Sequence, residues 1–223
     1  TAGNATSHAQ WTPRTTSITL DKNGGAGGAS STTGTYDKPM LGGLSAPTRT
    51  GYNFQGYFDA KNGGVQYYNI NMTSANDWDK TNTSFTLYAQ WEAKITTVTL
   101  DKRSGSGGTT TIYAIFGQPM PTATKPSRSG YTFNGYFSAI SGGTRYYNAY
   151  MSSARNWDVD TATRTLYAQW ERDVCPDCGQ TGHYGCCGHG YSYWGDCPTC
   201  NPACPDCGSH DHYGCCGHGY TNW

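Results

Sequence analysis

FTLYAQWE, residues 85–92, alternates apolar and polar side chains without a break. Phe85, Leu87, Ala89 and Trp91 fall on one face, and Thr86, Tyr88 and Gln90 on the other. Period two is the pattern of a strand with one side on a core and the other toward water. The strand is also written twice: TLYAQWE at 86–92 returns unchanged at 165–171, where Leu166, Ala168 and Trp170 take the inner face. A stretch that recurs in this way points to a duplicated packing unit.

Working outward from it, the rest of the copy follows. GYNFQGYF at 51–58 returns as GYTFNGYF at 130–137, and GGVQYYN at 63–69 as GGTRYYN at 142–148. SITL at 17–20 and ITTVTL at 95–100 are β-branched openings, each leading into Asp-Lys and a Gly-rich loop. Strict alternation along GYNFQGYF sets Tyr52, Phe54 and Phe58 on one side and Tyr57 on the other, with Tyr131, Phe133, Phe137 and Tyr136 as counterparts. MTSANDWD at 72–79 and MSSARNWD at 151–158 begin with Ser/Thr helix caps, which predicts one or two helical turns pressing Trp78 and Trp157 onto the sheet. The expected fold is mainly β, α+β only through those short helices, with a small Cys-rich tail.

Composition agrees. Hydrophobic residues make up 35% and aromatic residues 14%, with 18 tyrosines, so any core leans on rings rather than aliphatics. Net charge is zero and no basic stripe is present, which argues against a nucleic-acid partner. No apolar run is long enough for a membrane span. No acid–base pair, nucleophile elbow or phosphate loop stands in the chain, so the reading is non-enzymatic. The expected organisation is 1–14 as the closing strand of a truncated upstream repeat, 15–92 and 93–171 as modules, and 172–223 as the tail. The first of these rests on TSHAQWTPRTTSITLDK at 6–22, which aligns with TLYAQWEAKITTVTLDK at 86–102. Residues 6–11 then read either as the end of a longer array or as a spare strand for the sheet edge of a neighbouring subunit.

The combination of an opening strand, D-x-x-G-G, PTRTGY at 47–52, GYF at 56–58 and LYAQW at 87–91 resembles the Listeria–Bacteroides repeat, also called the internalin B-repeat. The second copy is looser, with PSRSGY at 126–131. The resemblance covers both modules and not the tail. It implies a small β-grasp-like module found in tandem on secreted and surface proteins of bacteria, without catalytic residues. The expected location is therefore extracellular or at the cell surface, with any leader removed.

The tail repeats internally as well. CPDCGQTGHYGCCGHGY at 175–191 recurs as CPDCGSHDHYGCCGHGY at 204–220, and all ten cysteines lie beyond Glu171. Cys175, Cys178, His183, Cys186, Cys187 and His189 match Cys204, Cys207, His212, Cys215, Cys216 and His218, with Cys197 and Cys200 between them. C-P-x-C-G is a metal knuckle of zinc-ribbon type, and such Cys and His sets suit tetrahedral structural zinc. Disulfides suit an extracellular compartment equally well, and both readings stand. For function, two readings also stand. One is a structural stalk or filament subunit that self-associates or contacts neighbouring surface proteins. The other is an adhesin whose Tyr57, Tyr67, Tyr68, Tyr136, Tyr146 and Tyr147 contact a glycan or a host protein, unless those rings pack inside and pair across strands, which the pattern favours.

Overall fold

A computed structural model of the chain describes residues 8–173. These divide into two units. The first takes in the residues up to Thr96 with Ile115–Gln118 and Trp157–Ala162; the second takes in Thr97–Ala114, Pro119–Asn156 and the residues from Thr163 on.

In the first unit β1 (Thr15–Asp21), β2 (Ser31–Thr35), β3 (Tyr52–Phe58), β4 (Gln66–Tyr68) and β5 (Ser84–Ala93) form one mixed sheet in the order β2-β1-β5-β3-β4. β5, the strand with the cleanest alternation, lies at the centre. It pairs parallel with β1, Leu87 opposite Leu20, and antiparallel with β3. Leu87, Ala89, Ile18 and Leu20 are buried, and Phe85 and Trp91 pack against them, so the inner face is the one that periodicity marks. The core also holds Met40, Tyr57, Tyr67, Tyr68, Met72 and Trp78.

The second sheet repeats the first: β6 (Ile95–Asp101), β7 (Thr111–Ile115), β8 (Tyr131–Phe137), β9 (Arg145–Tyr147) and β10 (Thr163–Arg172), in the order β7-β6-β10-β8-β9. β10 again pairs parallel with the opening strand, Leu166 opposite Leu100. The two copies thus share one topology, that of tandem β modules.

Two expectations need correction. The first concerns the short helices at 72–79 and 151–158, where no helix forms; none is present among the described residues. The side-chain oxygen of Asn69 accepts the N–H groups of Asn71 and Thr73, which holds Met72 at a φ of 58°. Ser74, the expected cap, instead accepts the N–H of Met40 and donates to the carbonyl of Asn76. Asn148, Met151 and Ser153 repeat this in the second copy. Competition by side-chain oxygens for backbone N–H groups is why such residues make turns as readily as helices. Trp78 is nonetheless fully buried.

The second correction is in β3. Phe54 pairs with Trp91 and Gly56 with Gln90, so Gln55 is an extra residue and the register shifts. This bulge brings Phe54 and Tyr57 onto the same inward side, with ring centroids 5.4 Å apart. Gly56 makes it possible: its φ is 122°, and a Cβ there would stand 2.1 Å from the carbonyl oxygen of Tyr68. Gly135 does the same in β8, at a φ of 130°.

The spare-strand reading of residues 6–11 is untested: residues 8–14 form no strand within a single chain, and residues 1–7 lie outside the described residues. Moreover, the sequence they resemble is that of β5, a central strand. A second copy of it would need a slot that β5 already fills, so pairing at a sheet edge does not follow from the likeness.

Candidate functional site

The six tyrosines read as a ligand surface are core residues. Tyr57, Tyr67, Tyr68, Tyr136 and Tyr147 are fully buried and Tyr146 nearly so. Tyr67 lies on Trp78 at 4.9 Å, and Tyr68 meets Tyr57 edge-on at 6.5 Å. Their hydroxyls stay inside as well. Tyr68 donates to the carbonyl of Leu41 and Tyr147 to that of Pro121. Burial, with the Asp21 carboxylate adding to it, pushes the Tyr57 hydroxyl up to about 12; burial with Asp101 does the same to Tyr136.

Tyr67 anchors a small charged cluster. Its hydroxyl donates to Asp79, and Lys80 pairs with Asp59 and Asp79, each at 3.2 Å. The bond from Tyr67 is the main cause that lowers the Asp79 carboxyl and raises the Lys80 ammonium. Lys80 thereby ties the loop at Asp59 to Asp79. The second copy has Ser138 and Val159 where Asp59 and Lys80 stand, so the cluster is not duplicated.

The surface feature that does recur is an arginine stacked on a tyrosine after a glycine. The guanidinium of Arg49 sits 4.0 Å from the Tyr52 ring centroid, and that of Arg128 sits 3.7 Å from the ring of Tyr131. In the first unit this corner is built over. Phe116 meets Tyr52 edge-on at 5.7 Å, and a Cβ on Gly51 would stand 2.2 Å from the Phe116 ring. The Gly51 N–H donates to the Asp160 carboxylate at 2.9 Å, and Lys94 pairs with the same carboxylate at 2.8 Å. Both contacts hold the Asp160 carboxyl below its usual range, the bond from Lys94 most of all. Sequence reasoning missed this corner. The signal was present in PTRTGY and PSRSGY, which place Arg, Gly and Tyr together in both copies.

The metal candidates Cys175, Cys178, His183, Cys186, Cys187, His189, Cys197, Cys200, Cys204, Cys207, His212, Cys215, Cys216 and His218 lie outside the described residues. Within the described residues no group of three or more His, Cys, Asp or Glu side chains gathers.

The family model of the Listeria–Bacteroides repeat domain matches twice, over 17–90 and 97–169. The chain belongs to the Listeria–Bacteroides repeat domain family. Each match coincides with one five-stranded sheet. Among curated proteins, Internalin H of Listeria monocytogenes is 32% identical over 139 residues, which is 60% of this chain and 22% of that protein. Two proteins of Evansella cellulosilytica are also similar. A putative membrane protein is 32% identical over 91 residues, 40% of this chain and 12% of its own length. A putative Gly-rich membrane protein is 30% identical over 131 residues, 57% and 15% respectively. The chain therefore spans less than a quarter of the length of each of these three relatives.

Proposed function

We propose that this chain is a non-catalytic, force-carrying spacer of a bacterial surface protein, its two repeats strung in series as a stalk. The observation that carries the reading is the strand order. In each sheet the first and last strands of the repeat are parallel central neighbours, β1 with β5 and β6 with β10. Tension applied through the ends of a repeat pulls these strands along their length in opposite directions. Their cross-strand hydrogen bonds are then loaded together in shear, instead of opening one at a time as in a peeled hairpin. The relatives named internalin and membrane protein support a place at the cell envelope. The burial of the paired tyrosines supports a spacer over a binder.

One observation favours the adhesin reading. The outward side of β7 carries Tyr113, 67% exposed, and Ile115, 42% exposed, where β2 has Thr33 and Thr35. Immobilised full-length chain screened against glycans and host-surface proteins separates the two. The spacer reading expects no saturable binding. Saturable binding that disappears in Tyr113→Ala would replace it with the adhesin reading. For the tail, we propose that structural zinc on the C-P-x-C-G knuckles or disulfides close it.

A further inference from the structure

Asn–Gly occurs three times in the sequence, at Asn23–Gly24, Asn62–Gly63 and Asn134–Gly135. Glycine brings no side chain to shield its backbone nitrogen, and that nitrogen lies next to the carboxamide of the residue before it. Once the nitrogen loses its proton, it is a nucleophile within reach of the carboxamide carbon. The fold decides whether the two meet, because the attack needs both groups unbound and able to turn into contact.

The structure treats the three pairs differently. Asn23 is half-buried. Its N–H donates to the Asp21 carboxylate at 2.8 Å, and its side-chain amide donates to the carbonyl of Ala89 at 3.0 Å, which fixes the carboxamide. Gly135 is buried in β8, paired with Gln169 and backed by the Tyr147 carbonyl, so attack on Asn134 requires the strand to come apart. Asn62 and Gly63 are both exposed. Among the described residues neither the Asn62 carboxamide nor the Gly63 N–H has a hydrogen-bond partner. Space around the glycine is open as well, since a Cβ there would meet nothing within 4 Å.

The loop that carries this pair is braced by other groups. The Val65 N–H donates to the Asp59 carboxylate at 2.7 Å, and the Asp59 N–H to the Val65 carbonyl at 3.0 Å. The Gln90 side chain donates to the carbonyls of Ala60 and Gly63 at 3.0 and 2.6 Å. The second copy builds the same loop with Ser141 where Asn62 stands. There Thr144 and Ser138 exchange the corresponding bonds at 2.9 Å, and Gln169 reaches Ala139 and Gly142 at 3.1 and 2.7 Å. The loop therefore needs its glycine, at a φ of 64°, but has no structural use for the asparagine.

We propose that Asn62 is a site of spontaneous covalent modification, at which the Gly63 nitrogen expels ammonia from the side chain. The Gly63 N–H gives its proton to solvent base, a bond forms from that nitrogen to Cγ of Asn62, and the Cγ–Nδ2 bond breaks. The departing nitrogen takes up a proton and leaves as ammonia. Water then opens the cyclic imide. Cleavage of the new N–Cγ bond gives an ordinary aspartyl residue. Cleavage of the original main-chain N–C bond gives an isoaspartyl link, with one more methylene in the backbone. Either product carries a carboxylate where a neutral amide stood. The chain is formally neutral at pH 7, so each event leaves it with one net negative charge. No enzyme is required, so the altered loop accumulates with the age of the molecule, in the first repeat alone. The inference does not depend on the spacer reading, since a loop that bears no load would react in the same way.

The experiment incubates the full chain at mildly alkaline pH and follows it by isoelectric focusing and by peptide mapping with mass detection. Isoaspartyl is scored by methylation with a protein isoaspartyl methyltransferase. The expected result is an acidic form that grows with time, its change mapped to Asn62 in both products. Asn23 and Asn134 convert at least about tenfold more slowly, because each must first give up native hydrogen bonds. In urea the three sites converge, because sequence alone then governs them. Asn62→Ser, the residue the second copy uses, folds by circular dichroism and loses the acidic form. An Asn62 that converts no faster than Asn23 and Asn134 in the native chain overturns the proposal. So does an acidic form that grows as fast in Asn62→Ser, or a ranking of the three sites that persists unchanged in urea.

Discussion

Replacing Thr16 by Val tests how the sheet holds its central tryptophan. Thr16 is 1% exposed, and its hydroxyl serves two partners, the buried indole of Trp78 and the backbone of the exposed Asn82. It donates to the carbonyl of Asn82 at 2.6 Å and accepts from the indole N–H of Trp78 at 3.0 Å. Valine has nearly the same shape and a strand preference of its own, so packing is retained. What changes is that the indole N–H loses its partner where water is scarce, while the Asn82 carbonyl stands at an exposed residue within reach of water. One stranded buried donor costs roughly 1–3 kcal/mol. A module of this size has a total stability of roughly 4–12 kcal/mol. The loss is then a substantial share of the whole, a fall in Tm of roughly 4–24 °C. Urea unfolding followed by tryptophan fluorescence reads it directly. Thr16→Ser keeps the hydroxyl and should restore most of the difference, leaving only the missing methyl. Thr16→Val within about 0.5 kcal/mol of wild type, or Thr16→Ser as damaging as Thr16→Val, would refute the reasoning. The same hydroxyl recurs at Thr96, which donates to Thr161 at 2.7 Å and accepts from Trp157 at 3.0 Å. Thr96→Val is therefore expected to cost a similar amount.

Other expectations follow from the same packing. Gly56→Ala puts a methyl 2.1 Å from the Tyr68 carbonyl oxygen at a φ of 122°, so it should cost more than about 3 kcal/mol, measured by thermal unfolding; Gly135→Ala should do the same in the second sheet. Tyr57 and Tyr136 have folded-state hydroxyls raised to about 12, against about 10 when unfolded, so their contribution is complete below pH 10 and is lost as pH rises toward 12. Absorbance titration of phenolate beside circular dichroism should show these two rings ionising only as the fold is lost. The native tail should yield zinc on elemental analysis with its thiols reduced, or disulfides by mass without metal; reduced, metal-free thiols would sink both closures.

Much of the fold could be read from a handful of residues. Phe85, Leu87, Ala89 and Trp91 mark an inner face, and a strand that returns unchanged marks a second module. The bulge escaped because alternation was carried through Gln55 without asking why a glycine sits mid-strand at Gly56; glycine in a strand is itself a sign of a bulge or of close backbone approach. The short helices failed for a related reason. Asn69 and Asn148 lie just before the segments where a cap was expected, and their side chains organise turns instead. Packing, the alternative to a ligand surface for the paired tyrosines, holds: β4 and β9 are three-residue strands in which both Tyr67 and Tyr68, or Tyr146 and Tyr147, find cover. The corner at Gly51 was not legible either, because nothing in PTRTGY shows that Phe116 closes on the glycine.

The force-carrying claim meets its most direct test in single-molecule pulling on the full chain through its two ends. The account predicts two unfolding events of nearly equal length, each releasing roughly 25 nm of chain, at a force several times that needed to peel the β1–β2 hairpin from its own ends. One merged event, or two at the low force of a peeled hairpin, would contradict it.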